Sequence, residues 1–310
     1  MKNKERFEEM RPLLGLIIFS IIVSLLSPRF LTKSNLLNVF RQTSINAIIA
    51  AGMTFVILTS GIDLSVGSIL GFTGAILANM LVKGNGIFLS IFVAILIGGL
   101  AGMFNGFIIT KGKVQPFIVT LATMILLRGA TLVFTSGKPI PVTGENISST
   151  FRWIGTGNIF GIPTPIIIMA IVFVLCYYLL NHIKFGRYIY AVGGNEKAAQ
   201  LSGVNTDKIK IMAYTISGIL AAVAGIIVTS RLSSAQPTAG DGYELDAIAA
   251  VVLGGTSLAG GQGTIIGTII GALIIGVLNN ALNLLDVQSY YQMIAKAIVI
   301  LIAVLLDKKE

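Results

Sequence analysis

Residues 87–110 read IFLSIFVAILIGGLAGMFNGFIIT, twenty-four positions without a charge. As an α-helix, such a run reaches about 36 Å and exceeds the ~30 Å hydrocarbon core of a bilayer. Its glycines let neighbouring helices approach closely in lipid. Nine further apolar segments flank it, at 13–26, 44–60, 65–82, 116–136, 162–182, 211–231, 245–260, 264–284 and 289–306. The whole chain agrees. Of 310 residues, 55% are hydrophobic and only 11% charged, with mean hydropathy +0.89, whereas a soluble domain carries about a quarter charged residues. The expected fold is an all-α integral membrane protein of about ten transmembrane helices, one domain over 1–310.

The same composition narrows function. The single cysteine, Cys176, rules out an intrachain disulfide or a thiolate cluster, and the single histidine, His182, rules out multi-histidine zinc. No catalytic constellation, resident metal or cofactor is expected. A net charge of +9 points, in so apolar a chain, to basic loops at the cytoplasmic face rather than to nucleic acid. The run 13–26 follows a mixed-charge tail and ends in Ser27-Pro28-Arg29-Phe30, with no small-x-small cleavage site, so it reads as an uncleaved first helix. Residues 30–43 are too polar to span and read as interfacial. With ten spans, thirteen Lys and Arg, from Lys2 and Lys4 to Lys308 and Lys309, fall in inside loops against seven outside, which places both termini in the cytoplasm. Gly102-Met-Phe-Asn105 with Val114-Gln115 recurs 174 residues on as Gly276-Val-Leu-Asn279 with Val287-Gln288, one residue slipped. The copies fall at opposite ends of their helices, as a five-plus-five inverted repeat requires; chance similarity of glycine-rich helices is the alternative.

Two polar stretches, 137–161 and 183–210, interrupt the apolar pattern. In the second, Asn195 is a good N-cap, Glu196 complements the helix dipole, Ala198 and Ala199 favour helix, and Gly203 suits the left-handed residue that stops it. The product is a short helix in a basic cytoplasmic loop: a solvated connector, or a knob that docks into a partner. Asp63, with Ser65 and Gly67 beside it, sits at a helix break on the inner side, as a cap or as part of a gate. Arg128 falls mid-segment and must snorkel, pair or line a wet cavity; Lys296 is similar but nearer an end. Gly263, Gly267 and Gly271 form a packing stripe.

Glu196-Lys-Ala-Ala199-x-x-x-Gly203 resembles the loop by which permeases of ATP-driven (ABC) importers engage their ATPase. Gly61-Ile-Asp-Leu-Ser-Val-Gly67, Phe185-Gly-Arg-Tyr188, Gly193-Gly-Asn-Glu196 and the stretch from Glu244 to Leu258 extend the resemblance over nearly the whole chain, to the permease family for pentoses and related sugars, ribose branch. The resemblance implies a multi-pass subunit of the bacterial plasma (inner) membrane that pairs with a second copy of itself. An ABC ATP-binding subunit and an extracytoplasmic sugar-binding protein would be its partners. D-ribose would be moved by alternating access, with 183–210 as coupling loop and Asn195, Glu196, Ala198, Ala199 and Gly203 at the ATPase; xylose, arabinose, galactose or autoinducer-2 are the alternatives. Consistently, the sequence has no G-x-x-x-x-G-K-[ST] loop. Asn105, Gln115, Asn279 and Asn280 join Asp63, Ser65, Gly67 and Arg128 as candidate pathway residues, although intramembrane amides also serve as interhelical glue. Loops 137–152 and 232–243 are expected to face outward and receive the binding protein. An ion-coupled secondary transporter is the rival, disfavoured because Asp63, Glu244 and Asp246 lie near segment ends.

Overall fold

A computed structural model describes residues 2–142 and 145–306, with side chains over 12–142, 150–299 and at 301; Lys308 and Lys309, counted among the inside charges, lie outside the described residues. The elements are α1 Lys2–Leu26, α2 Lys33–Leu58, α3 Val66–Val82, α4 Ile87–Lys111, α5 Pro116–Thr135, β1 Ile140–Pro141, α6 Glu145–Thr156, β2 Asn158–Ile159, β3 Ile162–Pro163, α7 Thr164–Asn181, α8 Lys184–Gly194, α9 Glu196–Leu201, α10 Thr206–Leu232, β4 Ser234–Ala235, α11 Tyr243–Leu253, α12 Ile265–Leu284 and α13 Ser289–Leu306. The strands are two-residue ladders at the bundle surface (β1 with β4, β2 with β3). The protein is therefore a helical membrane bundle. Six helices, α2, α4, α5, α7, α10 and α12, are long and apolar enough to cross a bilayer, and 12–26 and 66–82 are shorter apolar helices.

Glycine sets the closest packing. Gly98, Gly102 and Gly106 line one face of α4 against the backbone of α10 at Gly218, Tyr214 and Ile211; a Cβ on Gly106 would come within 2.6 Å of the Ile211 Cα. Falling 98 against 218 and 106 against 211, the helices are antiparallel. Gly52 against Ser217 and Gly61 against Tyr214 make α2 antiparallel to α10 as well, and Asn35 bonded to Asn280 with Thr54 bonded to Thr268 does the same for α2 and α12. One end of the bundle thus gathers the ends of α2 and α4, the starts of α5 and α10, and α8 and α9. We call it the α9 end. Pro12 lies beside Gly255 there, while Val23 and Phe30 pack near Val277 and Ala281, so α1 starts at the α9 end and runs beside α12.

Packing is reciprocal between the halves. As α10 packs on α4, α2 packs on α12; as α3 packs on α10, α4 and α5, so α11 packs on α2, α12 and α13. The partners share a spacing: α2 and α10 end at Leu58 and Leu232, 174 residues apart, and α5 and α13 start at Pro116 and Ser289, 173 apart. Each of the first pair is followed by a serine in the left-handed region, Ser60 (φ 61°) and Ser233 (φ 48°).

Several expectations need correction. Residues 33–43 are not a separate interfacial segment but the first turns of α2, capped by Thr32, whose hydroxyl accepts from Asn35 N; Asn35 finds its partner in Asn280 of α12, which ties these turns to the bundle. The segment 245–260 is helical only to Leu253. Its 11 residues span about 16 Å, half a bilayer core. The loop 233–242 does not simply face outward, because Gly240 (φ 80°) meets Gly67 at the start of α3, backbone against backbone. Gly263 lies in a loop before α12, so only Gly267 and Gly271 form the stripe, packed on Gly254 and Ala250 of α11.

Candidate functional site

At the α9 end, Asn195 caps α9 by accepting from Ala198 N at 3.0 Å, and Gly203 (φ 85°) ends the turn in the left-handed region. Glu196 pairs with Lys210 at 2.6 Å, fixing α9 to the first turn of α10. Asn195, Glu196 and Ala198 are exposed, while Ala199 is buried and anchors the helix. The sequence reading missed Leu201, 90% exposed, an apolar side chain held out at the tip of the same helix. Behind α9, Gly193 touches the carbonyl of Leu58 and the backbone of Gly261, Gly261 N donates to Leu58 O at 3.0 Å, and the Ser60 hydroxyl donates to Ala259 O at 2.7 Å. The Tyr190 hydroxyl donates to Gly263 O at 2.8 Å. Through α8, the loop 183–210 therefore rests on both the break after α2 and the loop before α12.

Five residues beyond Leu58, Asp63 is wholly buried. Its Oδ1 accepts from Ser65 N at 3.0 Å and Ser65 Oγ at 2.6 Å, and its Oδ2 from Ser217 Oγ of α10 at 2.9 Å. Ser65 Oγ in turn accepts from Asn105 Nδ2 of α4 at 2.8 Å, and Asn105 Oδ1 from Thr123 Oγ1 of α5 at 2.6 Å. Every hydroxyl in this relay points its proton down the chain toward one carboxylate, tying four elements together. Asp63 binds its own connector rather than capping α3, whose N-cap Ser65 makes no side-chain cap bond. Ser217 and Thr123 carried no signal in sequence, since a lone hydroxyl on a spanning helix reads as glue.

Arg128 of α5 both pairs and supports backbone: it meets Asp241 at 2.5 Å and donates to Ala239 O at 2.8 Å and Pro237 O at 3.2 Å. It thereby clasps the descending 233–242 loop beside Gly67. Asp241 is 61% exposed by its side chain. Of the other candidates, Gln115 is the exposed, unbonded N-cap of α5 and stands apart from the relay. Asn280 exchanges two bonds with Asn35, at 2.8 and 2.9 Å, an interhelical clamp at the far end. Its neighbour Asn279 faces a different space, a cavity between α2, α11 and α12. Near that cavity Lys296 of α13 pairs with Asp246 at 3.0 Å. The site candidates thus divide among both bundle ends and the middle.

A bundle of membrane-crossing helices with buried polar networks at different depths and a surface helix braced against two of its connectors is the build of a permease. Residues 35–304 match the family described as branched-chain amino acid transport system / permease component. The chain belongs to that family and is a multi-pass membrane transport subunit rather than an enzyme. It is similar to the ribose import permease protein RbsC of Haemophilus influenzae, 62% identical over 96% of this chain and 93% of that one. It also resembles the proteins of the same name from Escherichia coli K12, 57% identical over 97% and 94%, and Bacillus subtilis 168, 57% over 98% and 94%. No solved structure matches it.

Proposed function

We propose that the chain is the permease subunit of an ATP-driven importer that brings D-ribose across the bacterial inner membrane. The observation that carries this is identity of 57–62% along nearly the full length to relatives named for ribose import. A separate ATP-binding subunit would dock at α9, and a sugar-binding protein would deliver substrate at the opposite end, where β1–β4 joins the 137–142 and 233–242 loops.

The geometry supplies a route for the work. Closure of an ATPase pair pushes α9; α8 passes the displacement to Leu58 and Gly261; the break carrying Asp63 and the loop before α12 move together. The relay around Asp63 has discrete bonding partners, so it holds one arrangement until that push exceeds it. Ten crossings, with α11 as a half-crossing, put α1's start and α13's end on the α9 side and both termini in the cytoplasm. The shared 173–174 residue spacing and reciprocal packing favour an inverted repeat of five plus five. Asp241, charged and exposed beside the bundle's middle, favours a water-lined face closed by a second copy of the chain.

The test is uptake of radiolabelled ribose into proteoliposomes holding this chain with its ATP-binding and sugar-binding partners. Uptake that requires all three proteins and ATP, resists ionophores, and is poorly competed by xylose, arabinose or galactose is expected. Uptake by this chain alone down an ion gradient would overturn the reading.

A further inference from the structure

Between the outer halves of α2, α11 and α12 lies a cavity of about 40 Å³, walled by Gln42, Thr43, Asn46, Asp246 and Asn279 among others. Five polar side chains on one small void are unusual inside a membrane bundle, where lipid supplies no hydrogen bonds. Two of them are unsatisfied among the described residues: Thr43 Oγ1 and Asn279 Oδ1 are buried with no partner there, and Thr43 is only 3% exposed. Asp246 accepts from Asn46 at 3.1 Å and Lys296 at 3.0 Å, both at Oδ2, and no bond to its Oδ1 exists among the described residues. Gln42, itself exposed, connects the cavity to the outside.

The repeat spacing makes the vacant acceptors informative. Thr43 and Asn279 stand 174 residues from Ser217 and Asn105, and Lys296 stands 173 from Thr123. At the inner end those positions satisfy one another and Asp63. At the outer end Thr43 and Asn279 line a void with their oxygens unbonded among the described residues, while Lys296 bonds Asp246 beside it. A buried hydrogen bond left unmade costs roughly 1–3 kcal/mol, so oxygens aimed into this void favour a hydrogen-bonding occupant.

We propose that this outer cavity is a subsite for two adjacent hydroxyl groups of the transported sugar. The proposal rests on the sugar-importer reading. A void of this size has room for two or three water-sized groups at about 10–15 Å³ each, which fits one edge of a pentose and not the whole ring. Each sugar hydroxyl is donor and acceptor: one donates to Asp246 Oδ1, its neighbour to Asn279 Oδ1, and the Thr43 hydroxyl bonds either. The Asp246–Lys296 pair stays neutralised because the ligand brings no charge.

The experiment uses the full complex in proteoliposomes on a Cys176→Ser background, which removes the chain's one cysteine. Asn279→Cys, and separately Thr43→Cys, are labelled from outside with a small membrane-impermeant methanethiosulfonate. Saturating ribose is expected to slow labelling at least fivefold, with weaker protection by 2-deoxyribose or 3-deoxyribose, whichever lacks a contacting hydroxyl. In the Asn279→Cys chain, added Thr43→Val should raise the ribose concentration that gives half-maximal protection about threefold to tenfold, the worth of one hydrogen bond of roughly 0.5–1.5 kcal/mol. Ribose uptake by the Cys176→Ser parent is measured in the same vesicles and reports the importer reading separately. A transporting parent whose two cysteine variants label equally with and without ribose leaves that reading standing and overturns the subsite, leaving the cavity as a water site. Complete absence of labelling at both positions would show a sealed cavity and overturn it as well.

Discussion

Ser217 spends its hydroxyl on Asp63 Oδ2, and nothing else on α10 replaces that bond. Ser217→Ala should therefore destabilise the solubilised protein by about 1.5–3 kcal/mol, the range for a hydrogen bond to a charged group, read as a lowered thermal midpoint in detergent; an unchanged midpoint would remove Ser217 from the relay. The amides at 279 and 280 separate at this scale too. Adjacent residues on a helix point about 100° apart, which turns Asn280 onto Asn35 and Asn279 into the cavity. For the reciprocal Asn35–Asn280 clamp, either single leucine substitution strands the partner and should cost about 1–2 kcal/mol. The double Asn35→Leu, Asn280→Leu chain should recover most of it. Equal losses that simply add would mean that the two amides act independently. Which intramembrane amide does which task was not legible in the sequence, because the answer lies on a partner helix some 245 residues away.

Elements were far easier to read than residues. Helices α3, α4, α5, α7, α12 and α13 begin and end within a residue or two of the apolar runs, because Gly, Pro and charged residues bound them. The misreadings share one cause. In α2 a polar residue of the first turns, Asn35, finds its partner on another helix, and in α11 a glycine pair stops a run that hydropathy alone would extend. The short α9 was legible from its cap and its terminal glycine, yet its exposed Leu201 was not, since exposure is a tertiary property. Leu201→Glu should leave membrane insertion intact while cutting ATP-dependent uptake at least tenfold and releasing the ATP-binding subunit in a pull-down. Retention of that subunit at parental levels would refute docking at α9. Gly203→Trp should also abolish uptake, but less cleanly, since at φ 85° any side chain strains the turn as well as obstructing the surface.

For the molecule as a whole, the orientation is testable on the same Cys176→Ser background. Lys197→Cys, beside Leu201 on α9, should label with an impermeant thiol reagent only from the cytoplasmic side. Phe160→Cys, in the fully exposed turn between β2 and β3, should label only from the other. Labelling of both from one side would overturn the ten-crossing arrangement. The proposed inverted repeat was only half legible, through one short echo, because the two halves share few identical residues: where the first carries Thr43 and Thr123, the second carries Ser217 and Lys296. The Arg128 clasp has a consequence for how the protein is made. Arg128 precedes the carbonyls of Pro237 and Ala239 by 109 and 111 residues. At about 5–20 residues per second on the ribosome, the guanidinium enters the translocon roughly 5–20 seconds before its partners exist. Until then the nascent N-terminal half lacks the carbonyls and the carboxylate that hold Arg128 in the folded chain. α11, whose 11 residues fall short of a bilayer core, follows the loop that Arg128 holds, so its seating is expected to depend on an arginine synthesised over a hundred residues earlier.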